Sequence, residues 1–199
     1  MSVMDPFRRW AALPNLAVLD TETTGLHGEV IELAIVDGSG AVLFDERIRP
    51  TCPIEPGAQA IHGITDADLA DLPGIAHHWP RLRSILAERH VLIYNRDFDV
   101  YRLLHSLHMG VPHWDPQAEH TQGFGHFHRT SECVMRAYAA SKGYRRWVKL
   151  VTACRDERIE TADLDAAHSA LGDALRTLRL IQAVAGKDGP ARLVFPTTN

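Results

Sequence analysis

The order of apolar segments along these 199 residues predicts an α/β domain, with a strand meander first and strands alternating with helices after it. Three observations carry that expectation. Leu16-Ala17-Val18-Leu19 is a run of four apolar residues, as in a strand buried on both faces. Two further apolar runs, 30–36 and 41–48, flank Asp37-Gly38-Ser39-Gly40, which is turn chemistry, so the first three strands form a meander. From residue 74 onward, helical periodicity alternates with short apolar runs.

The elements follow in order. After the third strand, Pro50, Pro53 and Pro56 mark a loop. Thr65 or Asp66 is placed to cap a short helical turn. A helix is expected over 74–87, with Ile75, Trp79, Leu82, Ile85 and Leu86 on one face. Residues 91–94 form a short buried strand, and Asn95 caps a helix reaching about His108. Residues 109–130 are irregular and rich in His, Gly and aromatics, and a loop of that length inside a domain is usually functional or mobile. Residues 131–135 supply one more strand. Helical segments follow, the last over 171–184 with Leu171, Leu175, Leu178 and Ile181 facing inward. Residues 1–15 are expected to be an extension, 16–185 the single domain and 186–199 a tail.

Composition excludes several classes. Hydrophobic residues make up 45% and charged residues 23%, both ordinary for a globular chain. No apolar run approaches a membrane span. The first 14 residues hold Asp5, Arg8 and Arg9 and no apolar signal core. Cys52, Cys133 and Cys154 are odd in number and form no CxxC pair, so reduced thiols in a cytoplasmic protein are expected. Net charge is −4, yet residues 129–158 hold eight basic residues against three acidic ones. Glu160, Asp163, Asp165 and Asp173 come directly afterwards. A basic surface beside an acidic pocket suits a polyanion held by its backbone, with metal ions at the point of cleavage.

The chemistry-bearing residues lie at segment ends. Asp20 and Glu22 follow the first strand, and residues two apart on a strand point the same way. The two carboxylates therefore project together from the carboxyl edge of the sheet, where ligand groups gather in α/β folds. Held side by side they repel, which calls for a cation, most simply a divalent metal on oxygen ligands. Asn95-Arg96-Asp97-Phe98-Asp99 places another carboxylate at that edge. Asp97 competes with Asp99, and Asp99 is preferred because Phe98 then turns toward the site or core. His168 and Asp173 complete the set. Positions five apart lie on different faces of a helix at about 100° per residue, so His168 is expected on a loop off the helix end. A histidine there can serve as a general base.

Taken together, Asp20-Thr21-Glu22-Thr23-Thr24-Gly25, Asn95-x-x-Phe98-Asp99 and His168-x-Ala170-x-x-Asp173 resemble the motifs of the DEDDh exonucleases, the DnaQ-like 3′-to-5′ exonuclease family. Ile61-His62-Gly63-Ile64-Thr65 is similar to the family's segment between its first two motifs, and Lys149-Leu150 to its step before the last. The resemblance spans residues 16–184. It implies a ribonuclease H-like fold, with a mixed five-stranded sheet (antiparallel meander plus parallel strands) flanked by helices. It also implies two magnesium or manganese ions held by Asp20, Glu22, Asp99 and Asp173, with His168 taking the proton of the attacking water. Thr23, Thr24, Leu26, His62 and Phe98 are then expected around the 3′-terminal nucleotide. The implied substrate is a single-stranded 3′ end, DNA before RNA, in a proofreading or repair type of reaction. A polymerase or a second copy of the chain is the implied protein partner. The alternatives are an RNA-trimming enzyme and a catalytically silent binding module on the same fold. One departure stands out: the family often has His before the Asn of its second motif, and this chain has Tyr94.

Three other features compete for a role. His113, His120, His126 and His128 invite a zinc site, but no Cys pair or regular helical spacing supports one. Tyr144-Arg145-Arg146-Trp147 mixes charge and aromatics as single-strand binders do, against a reading in which Trp147 is core and the arginines are solvated. Arg192-Leu193-Val194-Phe195-Pro196 reads as a docking peptide or as a tail packed on the domain.

Overall fold

A computed structural model describes residues 5–115, 117–118, 123–164 and 168–186. The segment Arg192 to Pro196 and His120 lie outside the described residues. Five strands form one sheet in the order β3-β2-β1-β4-β5. They are β1 (Leu16–Thr23), β2 (Val30–Asp37), β3 (Val42–Arg47), β4 (His90–Ile93) and β5 (Glu132–Cys133). β1, β2 and β3 pair antiparallel, while β4 runs parallel to β1 and β5 parallel to β4. The mixed sheet of the sequence expectation is therefore present.

Alternation along β1 sorts the core into two layers. Leu16 and Val18 join a cluster with Leu92, Tyr94, Tyr138, Leu150, Ala174, Leu178 and Ile181. Ala17 and Leu19 join the other, with Trp79, Leu82, Val91, Ile93, Leu103 and Phe127. Helices α4 (Ile75–Glu88), α5 (Arg96–Gly110) and α6 (Gly123–Thr130) cover the second face. The first is covered by α7 (Val134–Ser141), α8 (Leu150–Asp156) and α9 (Ala170–Gly186). Short helices α2 (Pro56–His62) and α3 (Asp66–Leu69) lie in the connection after β3. Thr65 caps α3, its hydroxyl accepting from Asp68 N at 3.3 Å. Among the described residues no helix is long and apolar enough to cross a membrane.

Several elements differ from the sequence expectation. Residues 6–11, expected in an extension, form helix α1 (Pro6–Ala11), started by Pro6 and by Asp5, whose carboxylate accepts from Phe7 N. Phe7 and Trp10 are fully buried against the α9 face. Six residues are too few to show a helical period, so only the packed partner reveals the element. Glu132 fastens α1 to the sheet by accepting from Trp10 Nε1 at 2.9 Å and pairing with Arg9 and His90. The irregular stretch 109–130 contains α6, where buried Phe127 overrides weak local propensity. The expected strand over 131–135 pairs only at Glu132–Cys133, because α7 begins at Val134. Asn95 stands at the N-terminus of α5 but caps with its carbonyl, accepting from Phe98 N and Asp99 N, and not with its side chain.

Candidate active site

The site is made where β1 outruns its neighbour. Pairing of β1 with β4 ends at Leu19↔Ile93, whereas pairing with β2 continues to Thr23. Asp20 and Glu22 thus lie on a strand supported on one side and open on the other. They share the parity of Leu16 and Val18, which directs them to the α9 face. Asp99 arrives from the first turn of α5 on the opposite face. It is 4% exposed and accepts from the Thr21 hydroxyl at 2.8 Å. Asp97 turns outward instead, to Arg136 at 2.5 Å and Arg96 at 3.3 Å, so the choice between the two carboxylates falls on Asp99.

Helix α9 delivers the last two groups. His168 precedes the helix in the left-handed region at φ 71°, which non-glycine residues seldom adopt. It is exposed and lies off the helix end, as the five-residue spacing requires. Ser169 caps the helix, its hydroxyl accepting from Gly172 N at 3.2 Å. Asp173 sits in the first turn. Ligand atoms of Glu22, His168 and Asp173 lie within 4.8 Å of one another. Among the described residues this is the one group of three such side chains close enough to share a metal ion, so the histidines around residues 113–128 form no such site there.

Electrostatics give the cluster its character. Asp20 is held well above the ordinary carboxylate range, first by burial, then by Asp99, Asp173, Glu22 and Glu32. Glu22 is pushed up to about 8 by burial, Asp173, Glu32 and Asp99. Burial lifts Asp99 to about 7, against the Thr21 hydroxyl, which favours its anion. Repelling carboxylates crowded in this way fit hard divalent cations, which bind oxygen donors and cancel the charge. Arg176 meets part of that need, its Nη1 at 2.9 Å from Asp173 Oδ1, with the side chains 7% and 14% exposed.

The expected nucleotide contacts are placed unevenly. Leu26 stands 74% exposed on the loop between β1 and β2, and Phe98 is half-buried in the first turn of α5. His62 ends α2, half-buried, with Nδ1 accepting from Ile64 N at 3.0 Å. Burial holds its imidazole below the ordinary range, with His168 adding to the shift and Glu32 opposing it. Thr24 is engaged within the protein: its N–H donates to Glu29 O, its carbonyl accepts from Glu55 N, and its hydroxyl accepts from Glu29 N. Thr23 donates its hydroxyl to Gly25 O at 2.9 Å. Both threonines therefore shape the loop that presents Leu26.

Sequence reasoning missed Glu32, Thr21 and Arg176. Glu32 is the Cα partner of Glu22 across the sheet, and its Oε2 accepts from Ala170 N at 3.0 Å. It pins the first residue of α9, between His168 and Asp173, to β2. The available signal was a lone acid inside the apolar run Val-Ile-Glu-Leu-Ala-Ile-Val. Glu32→Ala is expected to lower kcat about ten-fold by freeing the helix start, and Glu32→Gln, which keeps an acceptor, to recover most of it. Equal losses in both variants, measured by oligonucleotide hydrolysis, would remove the anchoring role.

Such a sheet, with four carboxylates and a histidine just off the helix end at its carboxyl edge, is the architecture of the ribonuclease H-like nucleases. The comparisons agree. The RNase T exonuclease family profile matches residues 17–181. The uncharacterized exonuclease CP81 of Escherichia phage 186 is 33% identical over 183 residues, covering 87% of this chain and 89% of that protein. A solved structure of exonuclease X in complex with 5′ overhanging duplex DNA aligns with TM-score 0.63 and 25% identity, covering 88% of this chain and 95% of that one. The nuclease domain of 3′hExo, a DEDDh family member bound to rAMP, aligns with TM-score 0.64 at 12% identity, over 85% of this chain and 90% of that one. The chain belongs to the DEDDh exonuclease family and is a 3′–5′ exonuclease by class.

Proposed function

We propose that this enzyme removes nucleoside 5′-monophosphates one at a time from the 3′ ends of single-stranded DNA. The observation that carries the reading is the convergence of Asp20, Glu22, Asp99, His168 and Asp173, from three separate segments, on one sheet edge. Asp20, Glu22, Asp99 and Asp173 would hold two magnesium or manganese ions. When bound, the ions supply an activated water and charge neutralisation for the leaving 3′ oxygen. His168, exposed on its loop, takes the proton of the attacking water. Leu26 and Phe98 offer apolar surface to the terminal base or sugar, Thr23 and Thr24 shape the loop beneath it, and His62 flanks it from α2.

DNA is favoured over RNA because the 25%-identical structural neighbour, matched over most of both chains, is described with duplex DNA. The RNA-trimming reading draws on a neighbour described as a 3′-exonuclease recognising histone mRNA stem-loop, at 13% identity. A polymerase, or a second copy of the chain, is the accompanying proposal for a protein partner in the cytoplasm.

The test is a time course on 5′-labelled single-stranded DNA and RNA of matched sequence, with magnesium, manganese or EDTA. The expected result is a DNA ladder shortening from the 3′ end, abolished by EDTA. Faster shortening of RNA would replace the substrate assignment. No cleavage of either strand with either metal would favour the silent binding module.

A further inference from the structure

The basic, aromatic segment between α7 and α8 is not used by the chemistry above. The structure leaves Trp147 66% exposed and Tyr144 45% exposed, which removes the reading of Trp147 as core. Three cations of the surrounding basic stretch are paired: Arg136 with Asp97, Lys142 with Glu157 and Arg155 with Asp156. Arg145, Arg146 and Lys149, which flank Trp147, are exposed and form no ion pair among the described residues. An indole left in water amid three unneutralised cations is suited to a stacked base with phosphates on either side.

The segment is also fastened to the active edge. Tyr94, buried at the carboxyl end of β4, donates its hydroxyl to the Val148 carbonyl at 2.6 Å. Its own carbonyl accepts from Met135 N at 3.0 Å, so the residue is held at its backbone as well as at its hydroxyl. Tyr94 precedes Asp99 by five residues and lies on the same face as Asp20 and Glu22. On the other side, Leu150 packs in one cluster with Ala174 and Leu178 of the helix that carries Asp173. The segment is thus held between the end of β4, which leads into the helix carrying Asp99, and the helix carrying Asp173, and Trp147 is the residue next to the anchored Val148. The Tyr94 hydroxyl makes the anchor.

We infer that residues 144–149 form a platform for the single strand upstream of the 3′ terminus. Trp147 stacks a base, Arg145, Arg146 and Lys149 neutralise phosphates, and Tyr94 positions the platform through Val148. This rests on the exonuclease reading. An acidic protein partner would use the same cations, and the test separates it.

Hydrolysis of a single-stranded oligonucleotide of about 20 nucleotides is compared with that of the p-nitrophenyl ester of thymidine 5′-monophosphate, which reaches only the terminal subsite. Trp147→Ala is expected to lower the ratio of kcat/KM on the oligonucleotide to that on the ester about ten-fold, through KM. The double variant Arg145→Ala/Arg146→Ala should reduce the slope of log KM against log salt by about 1.4, two released counterions on a single strand. Tyr94→Phe should lower the ratio about three-fold, whereas a merely structural role would depress both substrates together. Binding of a fluorescent oligonucleotide in EDTA, measured in parallel, reads the platform without turnover, with weaker binding by Trp147→Ala as the expected result. An unchanged ratio and unchanged binding in Trp147→Ala and in the double arginine variant would overturn the platform, as an acidic-protein surface would require. Loss of all hydrolysis by the unsubstituted chain, with binding intact and weakened by Trp147→Ala, would overturn the exonuclease reading and leave the platform standing.

Discussion

Asp20→Asn is expected to abolish turnover while raising the melting temperature in EDTA. The carboxyl is crowded by protein atoms, so water solvates its anion poorly, and Asp99, Asp173, Glu22 and Glu32 all oppose its charge. A neutral amide of the same shape relieves that repulsion, worth about 1–2 kcal/mol or roughly 5 °C in Tm. The same change removes an expected metal ligand, with a loss in kcat of about 10³-fold or more. Magnesium or manganese should raise the Tm of the unsubstituted protein and raise that of the variant much less. The sign of the pH dependence follows from the raised groups. Between the ordinary 4.5 and about 8 for Glu22, and between the ordinary 3.8 and about 7 for Asp99, the folded chain binds more protons than the unfolded one. Stability in EDTA therefore falls as pH rises through that window, and the stabilisation by metal grows over the same range. Calorimetry across pH 4–9 checks both. A variant that melts lower than the parent in EDTA, or that remains fully active, would contradict the role assigned to Asp20.

His168→Ala is expected to lower kcat by about 10²–10⁴-fold with little change in KM, and to flatten the rate profile around neutrality. The residue is exposed, precedes the helix, and takes a left-handed backbone that nothing in the helix itself demands. Such conformations persist where the surrounding structure imposes them, and they concentrate at functional sites. Directly after it the chain is anchored twice, by the Glu32 carboxylate on Ala170 N and by the Ser169 cap. Because the side chain is exposed, its removal should leave the Tm within about 2 °C of the parent. An unchanged pH profile with a reduced rate would assign the proton transfer to another group.

The sequence by itself determined the opening meander and the placing of Asp20 and Glu22 on one side of its first strand. Four apolar residues ending in Asp20-Thr21-Glu22 fix a central strand with two acids on one side, because strand parity is a covalent property of the backbone. The five-residue gap between His168 and Asp173 fixed the histidine off the helix for the same kind of reason, since helical periodicity forbids one face for both. What only the tertiary structure decided depends on which segments meet. Asp99 was separated from Asp97 by the hydroxyl of Thr21, 78 residues away, and by the outward pull of Arg136. Glu32 acquired a role only when Ala170, 138 residues later, brought its N–H to the carboxylate. Helix α1 has too few residues to show a period and exists because Phe7 and Trp10 find a covered face. Trp147 was left in water because Tyr94 holds Val148, and not its neighbour, against the sheet. Local pattern reports what one segment does to itself, while long-range pairing, burial and the repulsion of carboxylates gathered from different segments are set by packing alone.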